Sequence, residues 1–441
     1  MSVYPRNMST FLNRMTNYNK NNVKMTVLGT PTANDGDVIQ VDLPTNSIVD
    51  LSSLAWSFEV AYTGRAGKTD STTADGAVTF PLNAESLISR LAVEVNGQTL
   101  VNLQNYNQLY HALLYMTATQ DYQHQRRVAQ SNVAAGDANG TTLQSDSVAA
   151  AAVTETRRHV IDTWLGFLGS AKPMFIDTSL LGNVRISITL AGADIIGLTA
   201  AATSTVFTRS YVVSDQAFSM DVVSIGDGFY DSMVDQMLAS GAPIEIPFKN
   251  YFSFNGNLGN REVPFTVASQ SIDRLWAVIR ANSSTDAAAS NGDKLVLLDN
   301  AGSSDIVKAT PAAFTYLSNN HSNFAFRINN TNYPQWTSTN KDDWWQHTKL
   351  ALGDQGNMLA GSFVNNTASY VQNFFVYACQ LEHHAGNDER FVSGIDTRGS
   401  AAQCYFTASG GNSGNPCTTT VFAECSSSLK IYAGKVLEIV Q

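Results

Sequence analysis

Charged side chains are scarce in this chain: only 15% of its 441 residues are Asp, Glu, Lys or Arg, against about 25% in typical soluble domains. Ser, Thr, Asn, Gln and Gly fill the polar positions instead. Such surfaces lose little to desolvation when buried, so they suit packing against copies of themselves. The net charge of −10 excludes a protein that coats nucleic acid over its whole surface. Cysteine is equally sparse. Cys379, Cys404, Cys417 and Cys425 form no C-x-x-C pair, which excludes a zinc ribbon and points to free, buried thiols in a reducing cytosol. No run of about 18 apolar residues could span a membrane, and no apolar segment of a secretory signal is visible near Met1. The sequons at Asn7, Asn139, Asn282, Asn329 and Asn365 are accordingly read as products of Asn/Thr-rich loops.

Catalytic signatures are absent too. There is no G-x-S-x-G elbow, no H-E-x-x-H and no Gly-rich dinucleotide fingerprint. The stretch Tyr62-Thr-Gly-Arg-Ala-Gly-Lys-Thr69 resembles the end of a phosphate-binding loop, but Tyr62 stands where that motif needs Gly and a loop sequence follows. His383 and His384, with Cys379, Asp388 and Glu389 nearby, lack the spacing of helical or ribbon zinc ligands. Tyr333, Trp336, Trp344 and Trp345 could form either a sugar platform or a packed corner. The reading is therefore a protein without enzymatic activity, cofactor or metal.

What is present is β-structure. Leu91, Val93 and Val95 alternate with Ala92, Glu94 and Asn96, and Val184, Ile186, Ile188 and Leu190 alternate with Arg185, Ser187 and Thr189. Both are marks of half-buried strands. Asn96-Gly97 supplies the positive φ angles of a tight hairpin. Strands are expected over residues 38–41, 48–62, 87–103, 184–190, 206–213, 244–254, 272–280, 295–298, 324–328, 370–377, 418–423 and 429–440. Three helices interrupt them. One carries Tyr106, Leu109, Tyr110, Leu113 and Leu114 on one face with Asn105 as N-cap. Another spans residues 229–240, with Tyr230, Met233, Val234, Met237 and Leu238 as its stripe and Gly241 and Pro243 as its stop; the domain join is expected there. A third starts near Asn340, with Asp342 and Asp343 in its first turn and Lys349 in its last. Residues 130–154, 282–305 and 387–415 read as long surface excursions. An echo between Ile88-Ser-Arg-Leu-Ala-Val93 and Ile272-Asp-Arg-Leu-Trp-Ala-Val278 suggests two related halves. Arg6, Arg14, Lys20 and Lys24 all precede the first acid, Asp35, which marks residues 1–34 as a basic arm toward a packaged genome or an anionic inner membrane.

The ribbon-into-helix stretch from Ser86 to Met116 resembles the first barrel of double jelly-roll major capsid proteins of icosahedral double-stranded DNA viruses, the adenovirus, tectivirus, polinton-like and virophage lineage. Met174-Phe-Ile-Asp177 followed by Val184–Leu190 is similar to the strand that closes that barrel. Tyr211–Phe218, the helix and Ile244–Tyr251 resemble the connection into the second barrel, and Arg327–Pro334 a turn within it. The resemblance implies an all-β chain of two tandem eight-stranded jelly-roll barrels, residues 35–220 and 244–441, joined by a helical connection over 221–243. It further implies a homotrimer giving pseudo-hexameric tiles of a virion shell, with penton and minor capsid proteins as partners and assembly in the host cytoplasm or nucleus. Two other classes fit a β-rich chain. One is a carbohydrate-binding sandwich, a virion spike or adhesin, with Trp336, Trp344 and Trp345 as its platform; the other is a β-rich glycoside hydrolase.

Overall fold

A computed structural model describes residues 18–67, 76–81, 83–117, 142–144, 153–200, 206–225, 229–241, 243–257, 262–281, 314, 316–318, 321–352, 367–372, 374–382, 394–399, 403–410 and 417–441. Its first half is built on β1 (Tyr18–Met25), β2 (Val38–Asp42), β3 (Ile48–Gly67), β4 (Ile88–Val95), β5 (Gln98–Gln104), β6 (Val153–Ile161), β7 (Val184–Leu190) and β8 (Val206–Ile225). The second half uses β9 (Ile244–Asn257), β10 (Glu262–Phe265), β11 (Ile272–Ala281), β12 (Asn323–Ile328), β13 (Thr331–Ser338), β14 (Val376–Gln380), β15 (Cys404–Ser409) and β16 (Cys417–Tyr432). Helices α1 (Tyr106–Thr117), α2 (Phe229–Ala239) and α3 (Lys341–Ala351) complete the main elements.

The two halves are wired identically. In the first, one sheet runs β1-β8-β3-β6 and the other β2-β7-β4-β5; in the second, the orders are β9-β16-β11-β14 and β10-β15-β12-β13. All these pairings are antiparallel. Among the described residues each half thus carries the two facing four-strand sheets of a jelly roll, a solution that leaves few open edges. Short accessory strands extend the sheets: Ala33–Asn34 beside β8, Phe175–Asp177 beside β3, and Val436–Val440 beside β16.

Register explains the cores. Ile39, Ile188, Leu91 and Leu103 fall in one cross-strand row, and Val41, Ile186, Val93 and Val101 in the next; all eight are buried. Facing them from the other sheet are Trp56, Phe58 and Phe218, with ring centroids 4.0 and 5.6 Å apart for the Trp56–Phe58 and Trp56–Phe218 pairs. The second core centres on Phe324, Phe326, Tyr377 and Phe406. Burying each such side chain contributes about 1.5–3 kcal/mol. The β4–β5 hairpin turns at Asn96 (φ 49°) and Gly97 (φ 81°), left-handed values that these two residue types tolerate.

Several expectations are corrected. Residues 18–25, assigned to an arm ending at 34, are the first barrel strand, held over eight residue pairs to β8. β8 itself runs to Ile225, into the stretch assigned to the connection. The strand expected to end at Tyr62 continues to Gly67 as the end of β3. Residues 370–377 are not one strand but the end of the helix Thr367–Gln372 followed by the start of β14. The excursion expected over 387–415 contains β15, with Cys404, Phe406 and Ala408 buried. The echo joins the fourth strand of one barrel to the third of the other, so it does not mark equivalent positions. Most of residues 130–154, and all of 295–298, lie outside the described residues.

Candidate functional site

The most elaborate polar geometry lies where the two barrels meet. The β9-β16-β11-β14 sheet is covered on both faces, one by its own core and the other by elements of the first barrel. Row by row, that second face presents Tyr251, Glu424, Arg274 and Gln380, then Asn255, Thr420, Val278 and Val376. Helix α1 packs against it. Tyr316 Oη donates to the Gln108 carbonyl at 2.9 Å, and Tyr115 Oη to the Phe314 carbonyl at 2.9 Å. Thr420 Oγ1 lies 2.9 Å from Gln108 Oε1. Asn105 stands at the expected N-cap position, its carbonyl accepting from Gln108 N and Leu109 N, while its side chain spans the barrels, donating from Nδ2 to Ser253 Oγ at 3.1 Å and Asn255 Oδ1 at 3.4 Å. At the other end of β9, Lys172 N donates to the Pro247 carbonyl, and the Phe167 and Phe248 rings meet edge to face at 5.3 Å.

Two cations and three carboxylates cluster on this sheet. Lys249 Nζ lies 2.7 Å from Asp273 Oδ2 and 3.8 Å from Glu382 Oε2. Arg274 reaches Glu382 at 2.7 Å and Glu424 at 3.4 Å. Trp276 Nε1 donates to Glu424 Oε2 at 3.2 Å, and Ser426 Oγ to Asp273 Oδ2 at 2.6 Å. The ladder between β11 and β16 shifts register at Asp273, and such a bulge re-aims a side chain. Burial opposes the Lys249 ammonium, but Asp273, Glu424 and Glu382 outweigh it and raise its pKa. Burial also raises Glu424, against the pull of Arg274 and Lys249. Sequence reading missed this cluster because its members are spread over residues 249 to 424, and only Asp273 and Arg274 are neighbours in the chain.

His111 on α1 is fully buried and shared between barrels. Its ring stacks on Phe314 with centroids 4.0 Å apart, and Nδ1 lies 2.6 Å from the Asn107 carbonyl. Nε2 has Ser86 Oγ and Asn83 Nδ2 each at 3.3 Å. Burial pushes its pKa down to about 4.

A half-open groove of about 220 Å³ separates the edge strands β5 and β9, lined by Leu100, Asn102, Gln104, Asn250, Phe252 and Phe254 among others. Among the described residues no group of three or more His, Cys, Asp or Glu side chains is placed to hold a metal. No helix there is long and apolar enough to cross a membrane. All four cysteines are buried, and burial pushes the Cys379 and Cys425 thiols up to about 12.

Of the four expected arm cations, Arg6 and Arg14 lie outside the described residues. Lys20 and Lys24 sit on β1. Lys20 Nζ is 3.1 Å from Asp50 Oδ2 and 2.8 Å from Asp221 Oδ2. Asp50 and Asp221 are directly opposed across β3 and β8, a like-charge pair that Lys20 neutralises. Lys20 is therefore a strand clamp in this fold. Its hydrogen bond, with help from Asn22, holds the Asp221 carboxyl below the usual range. Replacing Lys20 by Ala is expected to shift the Asp221 titration upward in a carboxyl NMR experiment. The sign follows from linkage: a depressed carboxyl stabilises above its unfolded pKa, and this is lost as pH falls through the folded value. The variant should lose that part of the acid sensitivity.

The sugar platform does not assemble. Trp344 is 2% exposed and packs edge-on against Phe324, Trp345 is half-buried against Tyr370, and only Trp336 is exposed, beside His347. His383 and His384 lie outside the described residues.

No family model and no curated protein matches the sequence. Solved structures do. The chain is similar to the Faustovirus major capsid protein at 11% identity and a TM-score of 0.58, covering 94% of this chain and 90% of that one. It is similar to VP54 of PBCV-1, whose crystal structure was fitted into a reconstruction of the virophage Sputnik, at 14% identity and a TM-score of 0.55, over 100% and 99%. The mavirus major capsid protein matches at 8% identity and a TM-score of 0.52, over 95% and 89%. The chain has the double jelly-roll fold of these viral major capsid proteins. The match runs through both barrels and the joint between them.

Proposed function

We propose that this chain is the major capsid protein of an icosahedral virus, a structural subunit that associates with copies of itself. The observation that carries this reading is the pairing of two identically wired jelly rolls along the whole chain, the architecture it has in common with the three capsid proteins above. Low surface charge supports it, because many weak, mostly uncharged contacts repeated by symmetry can hold a shell. In this reading three subunits form a tile with six similar barrels, and tiles meet each other, penton proteins and minor proteins. Residues 1–17, with Arg6 and Arg14, form the arm at the inner face toward genome or membrane.

Purified protein is expected to run as a trimer of about three times the 47.6 kDa subunit in light scattering and to show hexagonal tiles by negative-stain microscopy. Deleting residues 1–17, which leaves β1 in place, should keep the trimer and reduce shell formation. A persistent monomer at high concentration would sink the assembly reading. Normal particles from the truncated chain would sink the role of the arm.

A further inference from the structure

The contact between Lys249 and Asp273 is built more closely than an ion pair requires. Lys249 lies on β9 and Asp273 on β11, with β16 between them. Both oxygens of the Asp273 carboxylate have their own donors. Oδ1 accepts from Ser271 Oγ at 2.5 Å, and that hydroxyl is itself fixed by Gly394 N at 2.9 Å. Oδ2 accepts from Lys249 Nζ at 2.7 Å and from Ser426 Oγ at 2.6 Å. Lys249 Nζ also donates to Ser426 Oγ at 3.1 Å. Amine, hydroxyl and Oδ2 therefore close a ring through which protons can pass.

The carboxylate is shut off from water. Asp273 is 1% exposed and Ser271 is fully buried. The backbone at Gly394 lies directly over them: a β-carbon there would stand 2.7 Å from Asp273 Oδ1 and collide with Ser271 Oγ and the Ile272 carbonyl. Two charges in such a place carry a desolvation penalty that a neutral amide does not. Burial works against the Lys249 ammonium, but Asp273, Glu424 and Glu382 outweigh it. The ion pair is therefore the resting form, and a reaction that starts from it is slow.

We propose that Lys249 and Asp273 condense inside the folded chain to an amide, a covalent staple from β9 to β11 across β16. One proton passes from Nζ to Oδ2 along their hydrogen bond, leaving a neutral amine and a neutral carboxyl group. The Nζ lone pair then attacks Asp273 Cγ, and the C=O electron pair moves onto Oδ1, where the Ser271 hydroxyl stabilises the oxyanion. A second proton leaves Nζ through Ser426 Oγ to Oδ2; the Cγ–Oδ2 bond breaks and one water departs. The third proton stays on the amide nitrogen, so the cluster loses one positive and one negative charge together. Adjacent placement supplies the effective concentration that a free amine and carboxylate lack. Ser426 is a catalytic residue of this step. The staple concerns a single chain and does not rest on the capsid reading.

The test uses the full-length protein, its intact mass followed from first purification through a month of folded incubation at neutral pH. Most chains are expected to lose one water, about 18 Da. In a tryptic digest, cleavage after Lys249 should disappear, and the peptides carrying Lys249 and Asp273 should emerge joined. Lys249→Arg keeps the cation without a nucleophilic amine and should hold its full mass. Ser426→Ala should close at least tenfold more slowly, its folding checked by melting temperature. An unchanged native mass in folded protein would overturn the staple, whether or not either variant folds. So would a loss of one water that persists in Lys249→Arg, or that maps away from Lys249 and Asp273. Equal rates in Ser426→Ala would overturn the proton route.

Discussion

Replacing Asp273 by alanine is expected to lower stability by about 3–5 kcal/mol, the usual cost of removing one partner from a buried ion pair. Asp273 is 1% exposed and accepts hydrogen bonds from Lys249 Nζ, Ser426 Oγ and Ser271 Oγ at 2.7, 2.6 and 2.5 Å. Without it, the Lys249 ammonium keeps Ser426 Oγ at 3.1 Å and, as its nearest carboxylate, Glu382 at 3.8 Å, and two serine hydroxyls lose their acceptor. For a barrel of this size the loss corresponds to a fall in melting temperature of roughly 10 °C. The Asp42–Arg185 pair is the control. It has comparable geometry, 2.8 Å, but both side chains are about one-third exposed, so Asp42→Ala should cost under about 1 kcal/mol. Similar losses from the two substitutions in thermal unfolding would refute the assignment of the buried cluster as the tie within this sheet.

The second large effect is a pH dependence centred on His111. In the unfolded chain its imidazole takes up a proton as pH falls through about 6.5. In the fold it stays neutral until about 4. A second ring proton would sit on Nε2, where the Ser86 hydroxyl and Asn83 amide offer donors, inside a site shut off from water. Stability is thus complete above pH 6.5, declines between 6.5 and 4, and levels off below. The full loss is about 3 kcal/mol at 1.36 kcal/mol per pKa unit. His321 and His347 are also lowered by burial and act in the same direction. The readout is therefore the difference between the native chain and His111→Gln. Unfolding titrations of the two should converge as pH falls toward 4. Parallel curves would exclude His111 as the sensor.

Much of the fold was legible because alternation is a local property. The rows through Leu91, Val93, Ile186 and Ile188 could be read from single strands, and Asn96-Gly97 announced its hairpin. α1 was legible as a helix, but its role was not. Its stripe pattern implied one buried face, whereas Asn107, His111 and Ala112 are also buried because the second barrel covers the other side. The connection was assigned to α2 on its apolar stripe, yet two of those five residues are exposed. Chain connectivity and barrel packing are carried by different helices, and only the first can be inferred from sequence order. β15 was hidden by the Gly/Ser-rich sequence on either side. The clamp at Lys20 was missed for another reason: its carboxylates lie 30 and 201 positions away in the chain, so the cation looked like part of a basic tail.

A sheet sealed on both sides also decides how the chain can be divided. Cut at α2, the C-terminal half would present Tyr251, Trp276, Val278 and Thr420 to water and would be a sticky fragment rather than a free-standing module. During synthesis the N-terminal half emerges first, and it supplies the surface on which its successor is completed. The repeat is therefore one of wiring, while for folding the chain is a single unit with an order built in.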